Sequence, residues 1–277
     1  MRWVPLAAAA AAAVAWYLHR RRLRQQARHA RPLPHSLLKR IRTIVCDCDG
    51  VLYLAGTTPV PNAPLTYTQL AKQGKRVLFV TNSAIASRKS LANKLNAMGF
   101  HGVKPQDCVT SASAAAHYLA TKHPSVKTAY VVGQEGLLDE LRLVGVQPIG
   151  ENDTGGIKQL QAHGKLDDPV EAVVCGAQLT NLSYARLAKA GAYARDTNRP
   201  FIATNIDANW PAFSTCPDLL AGGGAVVAFV SYAAERQPDV HVGRRKTLTP
   251  HTLIRSFIHC FPSFCRQTQH GSRTTLS

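Results

Sequence analysis

Acidic residues are scarce in this chain and unevenly placed. Its 277 residues hold 16 Asp and Glu against 33 Lys and Arg, a formal charge of +17. No acid precedes Asp47 and none follows Asp239. The stretch 1–46 carries ten Lys/Arg and 244–277 carries six, so the excess sits at the two ends. Between them, 47–243 holds 17 basic and 16 acidic residues, a net of +1. A near-neutral middle argues against nucleic-acid binding as the main function, because such binding needs a basic face on the folded part. Long apolar runs are lacking too. Trp3 to Leu18 is uncharged but alanine-dominated, and shorter than the ~20 residues that span a bilayer. Zinc-finger spacing is absent among the seven cysteines, and their count is odd. They read as small buried hydrophobes in a reducing compartment, with a redox-sensing role left open for Cys46 and Cys48.

The N-terminal segment supports three readings. His19-Arg20-Arg21-Arg22-Leu23-Arg24 follows the apolar stretch, and a cationic flank there stays cytoplasmic. That makes 3–18 a signal anchor with the folded part facing the cytosol. An Arg-rich, acid-poor leader equally fits a mitochondrial transit peptide, and an exposed Ala-rich helix is the third reading. Arg31-Pro32-Leu33-Pro34 reads as the end of a basic linker over 19–40.

The middle alternates strand and helix. Strands are expected at Ile44–Cys48, Val77–Val80, Ala129–Val132, Ala172–Val174 and Phe201–Ala203. Helices are expected at about 64–73, 87–98, 111–121, 136–144, 183–194 and 224–234. Ser87 suits an N-cap, and Leu91, Leu95 and Met98, like Leu137, Leu138, Leu141 and Val144, read as core stripes. Gly191 weakens its helix by about 1 kcal/mol. The alternation predicts an α/β fold with a parallel sheet covered on both faces.

The chemistry concentrates at Thr43-Ile44-Val45-Cys46-Asp47-Cys48-Asp49-Gly50. A β-branched run ends in two aspartates two residues apart, on one face if the strand continued, and a turn at Gly50 gathers both carboxylates at the strand's carboxyl end. Open α/β sheets bind ligands there. Crowded carboxylates resist joint ionisation, and a divalent cation relieves that cost. One aspartate can then act as nucleophile while the other handles protons. Standing alone, the pair also reads as a solvated turn.

Five segments in order resemble the haloacid dehalogenase superfamily, in the branch of 4-nitrophenyl phosphate and phosphoglycolate phosphatases. They are Cys46–Tyr53, Val77-Leu78-Phe79-Val80-Thr81-Asn82-Ser83, Tyr130–Leu137, Ala203-Thr204-Asn205-Ile206-Asp207, and Gly222–Gly243. The resemblance spans roughly 41–243. It implies a Rossmann-like parallel-sheet core over 41–124 and 212–243, with an inserted α/β cap over 125–211. It implies a Mg²⁺-dependent hydrolase of small phosphomonoesters such as phosphoglycolate or 4-nitrophenyl phosphate, and a homodimer formed through the cap. Asp47 is the implied nucleophile, forming an aspartyl-phosphate. Asp49 is the implied acid and base, and the metal is held by Asp47 and by the Asp49 backbone carbonyl. Thr81, Asn82 and Ser83 are implied phosphate contacts, although Thr-Asn-Ser also reads as a local capping turn. Asn205 and Asp207 are implied to face substrate, or else to form a turn. The glycines 222–224 are read as shaping the return of the chain.

The sequence departs from that pattern in four places. Arg244, with Lys246 nearby, stands where the family has a lysine, and its planar fork is not an ammonium. The family's further acidic metal-binding segment has no counterpart after Asp239. The strands that would pair beside the first strand are missing, leaving an exposed apolar edge. Gln178 replaces a cap aspartate. A helix at Thr249–Phe261 is expected, and beyond it Ser, Thr, Gln, His and Arg dominate without periodicity over the rest of the divergent tail 244–277. The core is therefore read as incomplete, the tail as a truncated or frame-shifted end, and turnover as weak. A non-catalytic, membrane-associated interaction protein is the alternative.

Overall fold

The computed structural model describes residues 35–54, 56–158, 160, 166, 169–209 and 220–243. The anchor or transit segment 3–18, most of the linker, Arg244 and the tail helix lie outside the described residues. No helix among the described residues is long and apolar enough to cross a membrane. In chain order the elements are α1 (His35–Arg40), β1 (Thr43–Asp47), β2 (Tyr53–Leu54), β3 (Thr58–Pro59), α2 (Ala63–Lys72), β4 (Arg76–Thr81) and α3 (Arg88–Ala97). There follow β5 (Cys108–Thr110), α4 (Ser111–Lys122), β6 (Thr128–Val132), α5 (Glu135–Leu143), β7 (Gln147–Ile149), β8 (Ala172–Cys175), α6 (Tyr184–Ala194), β9 (Phe201–Ala203), α7 (Gly223–Ala234) and β10 (Val240–His241). The fold is α/β with parallel strands, as the alternation predicts.

The chain forms two compact units. The first comprises Met1–Phe79, Leu95–Gly102 and Trp210–Leu220. In it, among the described residues, β1 pairs with β4 alone, and Val45 is 47 % exposed. The Arg76 N–H donates to the Arg42 carbonyl at 2.9 Å, and Lys75 Nζ donates to the Ile41 carbonyl at 2.8 Å, fixing the start of β4 against the entry to β1. Tyr67, Phe79 and Phe100 form an aromatic trio with ring centroids 5.4 to 6.2 Å apart, a spacing that favours tilted and edge contacts. β2 and β3 pair antiparallel, Tyr53 opposite Pro59.

The second unit comprises Val80–Lys94, Val103–Asn209 and Ala221–Ser277. Its centre is a five-stranded sheet in the order β10-β9-β8-β6-β7, with parallel pairing throughout. Ala129, Val131, Ala172, Val174 and Ile202 point to one face, where Leu119 of α4 and Leu137, Leu138 and Leu141 of α5 complete a core. Tyr130, Val132, Val173, Cys175, Phe201 and Ala203 point to the other, against Tyr193 of α6 and Val226, Val227 and Val230 of α7. Period-two alternation buried on both sides is what a sheet between two helical layers requires.

Two buried polar clusters tie loops to this frame. Asp153 accepts from Tyr130 Oη at 2.7 Å and from Lys189 Nζ at 2.8 Å, while its carbonyl accepts from Ser183 Oγ. A buried charge is tolerable only when paired in this way. Glu140, 1 % exposed, takes Arg88 Nε at 2.9 and 3.1 Å and the Arg88 N–H at 2.7 Å, which seats the first turn of α3 on α5. Ser87 Oγ accepts the Ser90 N–H at 3.3 Å, consistent with its expected capping role.

Gly191 has a packing reason that propensity alone does not supply. A Cβ there would lie 2.7 Å from Ala233 Cβ, because α6 and α7 cross closely at that point. Gly191→Ala gains about 1 kcal/mol of helix propensity but overpacks the crossing at a cost of about 1–3 kcal/mol. We expect a net loss of about 1 kcal/mol in urea unfolding, recovered when Ala233→Gly is added.

The cysteines behave largely as expected. Cys48, Cys108 and Cys175 are buried and Cys46 is half-buried. Burial, with Asp107 beside it, pushes the Cys108 thiol up to about 12. Burial and then the Asp47 charge raise Cys46. A raised pKa means less thiolate at a given pH, and the thiolate is the reactive form. At pH 8, iodoacetamide is expected to leave Cys108 and Cys175 unmodified and to alkylate Cys46 more slowly than a peptide thiol, as read by mass spectrometry. Rapid labelling of Cys46 would restore a redox-sensing role.

Candidate active site

In the first unit, the end of β1 and the turn after it carry the two aspartates. The Cys48 carbonyl accepts the Val51, Leu52 and Tyr53 N–H groups at 3.3, 2.9 and 3.4 Å. Gly50, at φ +81°, makes this wrap possible, in a backbone region that other residues rarely enter. Cys48, Leu52 and Tyr53 anchor the turn inward, while Asp47 and Asp49 remain half-buried. Asp47 Oδ1 accepts the Cys48 N–H at 2.9 Å. Asp49 Oδ2 accepts from Tyr53 Oη at 3.3 Å. Burial, then the charges of neighbouring Cys48 and Asp49, pushes the Tyr53 phenol far above its ordinary range, so it stays protonated and donates. Tyr53 thus restrains the Asp49 carboxylate. The sequence offered Tyr53 as part of the motif but gave no sign of this role.

The other candidate residues lie in the second unit and are described by themselves. Thr81, 3 % exposed, ends β4. Its Oγ1 accepts the Ser83 N–H at 3.1 Å, and Ser83 Oγ accepts the Ile85 N–H at 3.3 Å. The segment is therefore the local hydroxyl turn that Thr-Asn-Ser allows. The Asn82 carbonyl accepts from Ser111 Oγ at 2.8 Å and from Asn205 Nδ2 at 2.9 Å, and Asn82 Nδ2 donates to Asp207 Oδ2. Asn82, Asn205 and Asp207 are thus brought together, bonded to one another. Ser111, which opens α4, had no signal in the sequence, since its partner lies 29 residues away.

Bare backbone packs around these loops. A Cβ on Gly243 would stand 2.2 Å from Asn82 Oδ1, and one on Gly222 would stand 2.2 Å from the Asp207 carbonyl. A Cβ on Gly224 would stand 2.6 Å from the Ile206 carbonyl. The Gly222 and Gly224 N–H groups donate to the Ala208 and Asp207 carbonyls at 2.8 and 2.9 Å. Gly222, just before α7, and Gly223 and Gly224, its first residues, therefore let the backbone pack closely on the 205–209 segment. Gln178 turns its amide onto the Thr180 carbonyl of its own loop.

Among the described residues no group of three or more His, Cys, Asp or Glu side chains is placed to hold a metal ion. The donor set that the sequence reading offers is the carboxylates of Asp47 and Asp49 with the Asp49 backbone oxygen. It suits a hard cation that takes few protein ligands and keeps waters and substrate oxygens.

Residues 44–147 match the haloacid dehalogenase-like hydrolase family. The chain is 32 % identical over 235 residues to phosphoglycolate phosphatase 2 of Arabidopsis thaliana, covering 80 % of this chain and 74 % of that one. It is 34 % identical over 200 residues to the 4-nitrophenylphosphatase of Schizosaccharomyces pombe, covering 70 % and 65 %. It thus spans about two thirds to three quarters of these relatives' lengths. Its fold is similar to that of a 4-nitrophenylphosphatase from Thermotoga maritima, with TM-score 0.64, 25 % identity, and 83 % and 76 % of the two chains covered. A glycerol phosphate phosphatase from Mycobacterium tuberculosis, solved with magnesium, is similar at TM-score 0.59 and 28 % identity, over 78 % and 57 %. With the Asp-x-Asp-Gly turn in place at the end of β1 and this extent of likeness, the chain belongs to the haloacid dehalogenase-like hydrolases.

Proposed function

We propose that this chain is a phosphatase of small phosphomonoesters of the phosphoglycolate or 4-nitrophenyl phosphate kind, working through Asp47. What supports the reading is that Asp47 ends β1 and Asp49 stands beside the Gly50 turn, in a chain whose relatives are named phosphatases. A carboxylate oxygen of Asp47 attacks phosphorus, the bond to the ester oxygen breaks, and Asp49 gives that oxygen its proton. Asp49 then takes a proton from water, whose oxygen attacks the aspartyl-phosphate and releases inorganic phosphate and free Asp47. The Tyr53 hydroxyl keeps Asp49 in one orientation through both transfers. Thr81 and the Ser83 region are assigned to the phosphoryl oxygens, which suits phosphoryl transfer, a reaction that depends mainly on positioning and charge neutralisation. Mg²⁺ would be held by the Asp47 carboxylate and the Asp49 carbonyl and would neutralise phosphoryl charge.

The test is hydrolysis of 4-nitrophenyl phosphate by the full chain with and without Mg²⁺. Release of nitrophenolate, abolished by EDTA and reduced about a thousandfold or more by Asp47→Asn, is the expected result, since loss of a nucleophile removes the covalent route. Folded protein that hydrolyses neither this ester nor phosphoglycolate would overturn the reading.

A further inference from the structure

Three hydrogen bonds close a ring between two loops of the second unit. Asn205 Nδ2 donates to the Asn82 carbonyl at 2.9 Å, the Asp207 N–H donates to Asn205 Oδ1 at 3.3 Å, and Asn82 Nδ2 donates to Asp207 Oδ2. Ser111 Oγ reaches the same Asn82 carbonyl at 2.8 Å, so both lone pairs of that oxygen are engaged. A carbonyl gripped from two sides fixes the plane of its peptide. The peptide after Asn82 carries the Ser83 N–H, which is itself held on Thr81 Oγ1 at 3.1 Å.

Burial makes the ring stiff. Asn205 is 4 % exposed. A Cβ on Gly223 would lie 2.8 Å from Asn205 Oδ1, and one on Gly243 would lie 3.0 Å from Asn205 Cβ. Its carboxamide therefore has little room to turn toward anything else. Asp207 Oδ2 is already engaged inside this ring. As the acceptor for Asn82 Nδ2 it is well matched.

We propose that Asn205 and Asp207 are positioning residues: they clamp Asn82 and so fix the Thr81–Ser83 turn, and they do not contact substrate. This rests on the phosphatase reading, which assigns that turn to phosphoryl oxygens. The chain leaving β9 then sets the geometry of the turn that ends β4.

The experiment uses the full-length chain. A displaced positioning group can cost up to about a hundredfold in rate. Asp207→Ala is expected to lower kcat about tenfold, with KM within about threefold, and by the same factor for 4-nitrophenyl phosphate and phosphoglycolate. Asp207→Asn keeps an acceptor oxygen for Asn82 and is expected to return kcat to within about threefold of the parent. An Asp207→Asn variant as impaired as Asp207→Ala would show that the charge itself matters, and losses that differ widely between the two esters would mark a substrate contact; either overturns the proposal.

A second arm needs no activity. In urea unfolding, Asn82→Ala, Asp207→Ala and the double variant form a cycle. A shared bond makes the double variant's shift in the unfolding equilibrium smaller than the product of the single shifts. Independent effects would overturn the clamp. If the parent chain hydrolyses nothing, the phosphatase reading falls by itself, and the cycle still decides whether the clamp exists.

Discussion

Side chains leave a strand alternately up and down, and in β6, β8 and β9 both directions lead into a core. This is the constraint on which the second unit depends. Tyr130 and Val131 cannot exchange faces without moving every neighbour along the parallel ladder that pairs them with Val173 and Val174. A one-residue slip would reverse the whole pattern. Register is therefore strongly specified, and with it the positions at which the strands end. Thr204 and Asn205 follow β9, and Gly176 follows β8, at heights set by hydrophobic packing several residues away.

Much of this was legible because the signals are long. Five apolar runs and six amphipathic or alanine-rich segments appear within a residue or two of where periodicity puts them. What escaped is short. β2, β3 and β10 are two residues long, and β5 and β7 are three, too few for a period of two to register. β7 also contains Pro148, which demotes a strand in sequence yet is tolerated here because β7 lies at the edge of its sheet. Gly191 reads as a weakness when only propensity is considered, and as a crossing point once α7 is in view.

The site residues show a different limit. Asp47, Asp49 and Gly50 are adjacent in sequence, so their local geometry follows from strand and turn chemistry. Asn82, Ser111 and the pair Asn205 and Asp207 come from three segments, and no local pattern says that an asparagine donates to a backbone carbonyl 123 residues away. Resemblance pointed to Asn82, Asn205 and Asp207 and described them by proximity to substrate. Their hydrogen bonds describe them by what they hold. Tyr53 lies only four residues from Asp49, yet its hydrogen bond depends on how the Gly50 turn closes.

The glycines 222–224 and Gly243 carry no functional group, yet each leaves space that the 204–207 segment or the Asn82 side chain fills. A methyl group at any of them would push on the backbone that carries Asn205 and Asp207, or on Asn82 itself. Such positions would tolerate substitution as poorly as a catalytic carboxylate does. A mutational scan scored on function alone would therefore draw the boundary of this active site too wide, enclosing residues whose only contribution is to be small.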